Sequence, residues 1–213
     1  MTETVGSDVM LVLDWVEVER STPRSEAQLG EGLAELHRRS TAHGVAYGFA
    51  SDNFIGATPQ RNTFTTSWPA FFHAHRLAPQ VALAHQNGYW QPQWTARLER
   101  LYSRLGDILP AQPPPSLLHG DLWSGNVLHS RTGPPVLIDP AVYHGDREAD
   151  LAMTRLFGGL GRAFYEAYEA TWPLEARAAE RVDLYNLYHL LNHLNLFGNG
   201  YAGIVERMLG QIA

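Results

Sequence analysis

The stretch Ser116–Leu128, SLLHGDLWSGNVL, restricts the fold of this chain more than any other. Leu117-Leu118 and Val127-Leu128 read as buried strands. Between them stand an Asp, an Asn, two Gly and a Trp, a composition that suits a tight turn better than a core. Downstream, SRTGPP reads as a turn and VLID as a returning strand that ends at Asp139. The fold-back of this hairpin sets Asn126 and Asp139 side by side at one end. Asp121 lies on the loop feeding that end. Three oxygen-bearing side chains are therefore expected to converge.

Such a set suits phosphoryl transfer. One carboxylate beside the attacking hydroxyl takes its proton, while a second carboxylate and an amide oxygen hold Mg²⁺ against a triphosphate. His119-Gly120-Asp121 followed by Asn126 keeps the Asp-to-Asn spacing of the protein-kinase catalytic loop. Asp139 fills the metal-Asp position, with Pro140 after it. With Gly in place of Arg, the loop resembles the aminoglycoside phosphotransferase and choline kinase branch of that fold. Five blocks narrow this further: HGDLWSGNVL, IDPAVYHGDREADLAMTRLFGG, SDNFIGATPQRN, WPAFFHAHRL and LYNLYHLLNHLNLFG. Together, in order and over roughly Leu11–Met208, they resemble the fructosamine kinase (ketosamine 3-kinase) family.

The resemblance implies an α+β chain, the mainly helical C-terminal lobe of the protein-kinase-like fold with a small β-hairpin at the active site. It divides the sequence into residues 1–17, a strand and hinge remnant of an N-terminal lobe, and 18–213, the lobe with the catalytic loop. It implies ATP- and Mg²⁺-dependent phosphorylation of a sugar hydroxyl on a small ketosamine or glycated amine. Asp121 becomes the general base, and Asn126 and Asp139 the magnesium ligands. Backbone groups near Asp14, Trp15 and Val16 would meet adenine. Trp123 offers a flat face for the sugar, and Asp146, Trp68 and Arg76 are further candidates for substrate contact. Asn53 is a similar candidate, and Asp150 is expected to tie to the catalytic loop.

The same resemblance calls for a lysine-bearing lobe and a glycine-rich lid ahead of the hinge, and this sequence starts at about the hinge. All 16 basic residues are Arg and none is Lys. Electrostatic positioning dominates such chemistry, so the expectation is impaired turnover. The alternative is a catalytically inactive nucleotide- or Mg-binding regulatory module. The uncovered hinge strand is expected to favour self-association.

Composition bounds the rest. At 213 residues the chain suits one domain, and 45% hydrophobic residues are ordinary for a soluble fold. No apolar run approaches the ~20 residues that span a bilayer. The acidic start MTETVGSDVM has no signal core. With no Cys there is no disulfide or thiolate metal site. A net charge of −6 without a basic tract argues against nucleic acid. The expected compartment is cytoplasmic.

Periodicity predicts a strand over Val9–Val16 and a helix over Ser25–Ala42, capped by Ser25, with Ala27, Leu33 and Leu36 inward. His43–Thr66 reads as a long loop. Ser67 caps a helix that Pro79 kinks, and Pro92–Leu109 is amphipathic. Further helices are expected near Arg147–Phe157, Arg162–Thr171, Ala176–Phe197 and Tyr201–Ile212. His189 and His193 stand at zinc-helix spacing but lack the Glu of H-E-x-x-H, which favours hydrogen-bonded packing over a metal hydrolase.

Overall fold

Apolar residues three and four apart make most of the chain helical from Pro23 onward, as expected for a kinase-like helical lobe. The computed structural model describes residues 2–5, 8–11, 13–41 and 46–212. Helix α1 (Pro23–Arg39) begins with a capping box, in which the Ser25 N–H donates to Thr22 Oγ1 at 3.1 Å and the Thr22 N–H to Ser25 Oγ at 3.0 Å. The cap is thus Thr22, one turn before the expected Ser25. Leu29 and Leu33 face the core, Ala27 is half-buried and Leu36 is exposed, so the buried stripe is rotated from the expected one.

Strands β1 (Thr2–Val5) and β2 (Asp8–Leu11) pair antiparallel. The expected strand over Val9–Val16 ends early, since Leu13–Val16 has no ladder partner and Trp15 is 89% exposed. Val12 and Ala42–Val45 lie outside the described residues. The expected loop instead contains the hairpin β3 (Asn53–Ile55) and β4 (Thr58–Gln60). A continuous helical run follows: α2 (Trp68–Phe71), capped by Ser67, a wide π-turn at Phe72–Leu77, and α3 (Ala78–Gln86). Pro79 lacks the N–H that a regular helix would aim at His75 O. Arg76 supplies a substitute donor, Nη1 to that oxygen at 2.8 Å.

Helix α4 (Pro92–Ile108) buries Trp94, Leu98, Leu101 and Leu105, one stripe as read from sequence. Then come β5 (Ser116–Leu118), β6 (Val127–Leu128), β7 (Val136–Leu137) and β8 (Tyr143–Gly145). The remainder is helical: α5 (Glu148–Leu156), α6 (Arg162–Thr171), α7 (Ala178–Phe197) and α8 (Ala202–Ile212). Two apolar clusters organise the lobe. The larger joins α2 through α4 to α7 and α8. The smaller gathers Leu29, Leu33, Leu122, Val127, Leu151, Phe164 and Tyr168. Gly30 lets α1 meet α6 backbone to backbone, since a Cβ there would lie 2.2 Å from Phe164 O. No helix among the described residues is long and apolar enough to cross a membrane.

Candidate functional site

Two hairpins are nested. The outer pair is β5–β8, with Leu117 opposite His144, and the inner pair is β6–β7, with Val127 opposite Leu137. The polar segments 119–126 and 138–142 are the junctions between them, so folding must bring the two together. Backbone bonds close the seam: Ala141 N–H donates to His119 O at 2.8 Å, and Ile138 N–H to Asn126 O at 3.1 Å. A His119 ring nitrogen pairs with Ile138 O at 2.8 Å, so this residue braces the backbone. Gly120 is required here: its φ is +82° and a Cβ would sit 2.1 Å from Ala141 O. Leu122, fully buried, and Val127 anchor the loop in the smaller cluster. Burying such side chains is worth about 1.5–3 kcal/mol each.

The buried Asp150 holds the loop from beneath. Its Oδ2 accepts the His119 N–H at 2.7 Å and its Oδ1 the Gly120 N–H at 2.9 Å. Its Oδ2 also lies 3.2 Å from His37 Nε2, and His37 Nδ1 lies 2.9 Å from Tyr168 Oη. Burial alone would raise the Asp150 carboxyl. The hydrogen bond and charge of His37, with help from His119 and the Gly120 N–H, outweigh it and hold the carboxyl below its ordinary value. Asp121, one residue on, is raised by burial, with His193 and His119 opposing.

The seam places Asp121, Asn126 and Asp139 at one end of the inner hairpin, as the sequence predicted. Asn126 Nδ2 donates to the Asp121 carbonyl at 2.8 Å, which fixes the amide and leaves Oδ1 free of any hydrogen bond among the described residues. Asp139 is exposed and sits at φ +51°, a left-handed conformation uncommon outside Gly and mildly favoured by Asp. A carboxylate and a fixed amide oxygen are hard donors of the kind magnesium takes. Among the described residues no group of three His, Cys, Asp or Glu could hold a metal.

Residues 17–19 meet the far end of the same hairpin. Glu19 N–H donates to His129 O and Arg131 N–H to Glu17 O, each at 2.9 Å, and Val18 bridges Ser130. Asp14 and Trp15 are exposed and Val16 half-buried just upstream. Ser130 stands four residues from Asn126, about 13 Å at about 3.3 Å per strand residue.

Three expected substrate contacts are instead structural. Trp68 and Arg76 have no accessible surface. Trp68 Nε1 donates to Tyr185 Oη at 2.9 Å. Arg76 donates to Arg61 O and Asn62 Oδ1 and stacks 3.8 Å from the Tyr143 ring. Their spacing reads as a polar edge only if the distant partners are unknown: Arg61 and Asn62, just past β4, cover Arg76, and Tyr47, Phe71, Phe72 and Tyr185 surround Trp68. Asp146 is 3% exposed, accepting from Tyr185 Oη at 2.6 Å and the Glu148 N–H at 3.0 Å. Asn53 is likewise committed, donating to Val142 O and accepting from Gln60 and Asn62.

Burial, reinforced by Glu148, pushes the Asp146 carboxyl up to about 6. The folded chain then keeps a proton that the unfolded chain has released between about pH 4 and 6, so stability falls as pH rises through that window. Asp146→Asn removes the effect. Urea titrations should show the wild-type stability relative to the variant declining by at most about 1.4 kcal/mol per pH unit there. A flat difference would contradict the assignment.

Trp123, 38% exposed, extends from the loop to within 6.2 Å of the Phe157 ring. His193 Nδ1 lies 2.9 Å from the His189 carbonyl and its ring 4.7 Å from Phe157, so this pair of histidines packs within its helix as expected. Burial depresses buried His189 to about 3 and keeps it neutral. His37 escaped the sequence reading. Its signal is a polar residue four after Leu33 on the apolar face of α1.

Comparison with known proteins gives concordant findings. The family described as fructosamine kinase matches residues 1–213. A Synechocystis protein named "Probable ketoamine kinase" is 48% identical over 94% of this chain and 66% of its own length. An Arabidopsis thaliana protein named "Protein-ribulosamine 3-kinase, chloroplastic" is 42% identical over 83% of this chain and 54% of its own. A crystal structure from Thermobifida fusca, assigned as a fructosamine-3-kinase, superposes with TM-score 0.87 and 34% identity over 93% of this chain and 68% of that one. The chain thus spans between about half and two thirds of the length of these relatives.

Proposed function

Because this chain belongs to the fructosamine kinase family, we propose that it serves transfer of the γ-phosphoryl group of ATP to a hydroxyl of a ketosamine, a sugar condensed on an amine. The single observation that carries the reading is the nested-hairpin seam, which gathers Asp121, Asn126 and Asp139. Asp121 accepts the proton of the attacking sugar hydroxyl as the oxygen bonds to phosphorus and the bond to ADP breaks. Asn126 and Asp139 would hold Mg²⁺, which would neutralise charge on the phosphates. Backbone groups of Asp14–Val16 meet adenine. Trp123 stacks on the sugar.

One observation favours a second reading, a nucleotide- and Mg-binding module without turnover: the 213 residues include no Lys to grip phosphates. Incubation with γ-labelled ATP, Mg²⁺ and a synthetic fructosamine separates the two. Label in the sugar supports the kinase. A Mg²⁺-dependent nucleotide thermal shift without label supports the module.

A further inference from the structure

Beside the seam lies a cavity of about 350 Å³ lined by Trp123, Phe157, His193, Phe197 and Tyr201. These rings come from the catalytic loop, the end of α5, α7 and the turn after it, so only the folded chain assembles them. His193 is the hub, 4.7 Å from Phe157, 5.4 Å from Phe197 and 5.3 Å from Tyr201 between ring centroids. With Nδ1 engaged at the His189 carbonyl, its orientation is set from within the helix. Phe197 is 65% exposed, yet the surrounding surface does not cover it. The volume suits a small molecule or one arm of it. No carboxylate lines the cavity, and Asp121 stands two residues from its Trp123 wall.

The geometry points to this aromatic box as the subsite for the protonated amine arm of the acceptor, held as a cation against ring faces. The inference rests on the ketosamine reading and assigns the half of the substrate that Asp121 does not touch. A ketosamine nitrogen is a secondary alkylamine, cationic at neutral pH and a few bonds from the sugar hydroxyls. A hydroxyl at Asp121 therefore leaves the nitrogen within reach of Trp123 and the rings beyond. Electron-rich faces attract such a cation, most strongly where water is partly excluded.

Calorimetric titration tests this without turnover. The probes are fructose carrying a propylamino group at C1 and its N-acetyl derivative, which has the same sugar but no charge. The wild-type chain is expected to bind the amine about tenfold more tightly than the amide. Phe197→Leu and Tyr201→Leu, which keep apolar bulk but remove the ring faces, should shrink that ratio to about twofold. Unchanged thermal midpoints would show that the substitutions, at exposed Phe197 and half-buried Tyr201, leave the fold intact. Equal affinity for the two probes, no measurable affinity for the amine, or a ratio preserved in the double variant would each overturn the assignment. An intact ratio without phosphorylation of either probe would sink the kinase reading and leave the amine subsite standing.

Discussion

Asp121→Asn is expected to lower phosphorylation of a synthetic fructosamine about 10²- to 10⁴-fold, the range over which a positioned general base contributes. The substitution is close to isosteric at a partly exposed side chain. The Asp121 contact that fixes the loop is its backbone carbonyl, which accepts from Asn126 Nδ2 and is untouched by the exchange. Nucleotide binding in the presence of Mg²⁺ should therefore persist, read as a thermal shift equal to that of the wild type. Initial rates with labelled ATP measure the loss. Equal turnover in the two proteins would remove Asp121 from the proton-transfer role, and a lost thermal shift would mean that its carboxylate helps hold the nucleotide.

The seam was legible because short-range rules determine it. A turn bounded by strands must fold back, so Asn126 and Asp139 could be paired from spacing alone. Helix α4 was equally plain, because Trp94, Leu98, Leu101 and Leu105 recur on one face. The outer strand β8 was not, since Tyr-His-Gly carries no strand pattern until β5 lies opposite it. The hairpin β3–β4 was hidden in a glycine-rich polar segment for a related reason. Its stability comes from Asn53, Gln60, Asn62 and Arg76, which bond to one another and to Ala141 and Val142 across the chain.

The expected contacts at Trp68, Arg76 and Asp146 failed for the same long-range reason. A local pattern reports that a polar residue borders an apolar face. It does not report that partners distant in sequence, Tyr185 for Trp68 and Asp146, and Asn62 for Arg76, will seal that border. Arg76 illustrates the point: a guanidinium with no acidic partner among the described residues can be buried because Tyr143, Asn62 and two carbonyls surround it. The aromatic box shows the converse. Phe157, His193 and Phe197 read individually as helix residues, and only the closure of α5 on α7 sets them around Trp123.

The largest stability effect is expected at Asp150. Replacement by Ala strands the His119 and Gly120 N–H groups and the His37 ring in a dry interior. Breaking a buried charged network of this kind costs about 3–5 kcal/mol, enough to consume much of an ordinary domain's stability. The pH dependence identifies the cause. The folded Asp150 carboxyl lies below its ordinary value, so its contribution is present above the unfolded carboxylate range and lost only as pH falls through the folded value. The gap between wild type and Asp150→Ala in urea titrations should therefore hold steady from pH 7 down to about 4 and close in stronger acid. Asp146 differs, because its contribution changes between about pH 4 and 6. Asp150→Asn keeps one accepting oxygen but turns an N–H₂ toward a donor, so it should fall between wild type and Ala. A loss below about 1 kcal/mol for Asp150→Ala, the worth of a single ordinary hydrogen bond, would show that the 119–126 loop is held by Leu122 and Val127 alone.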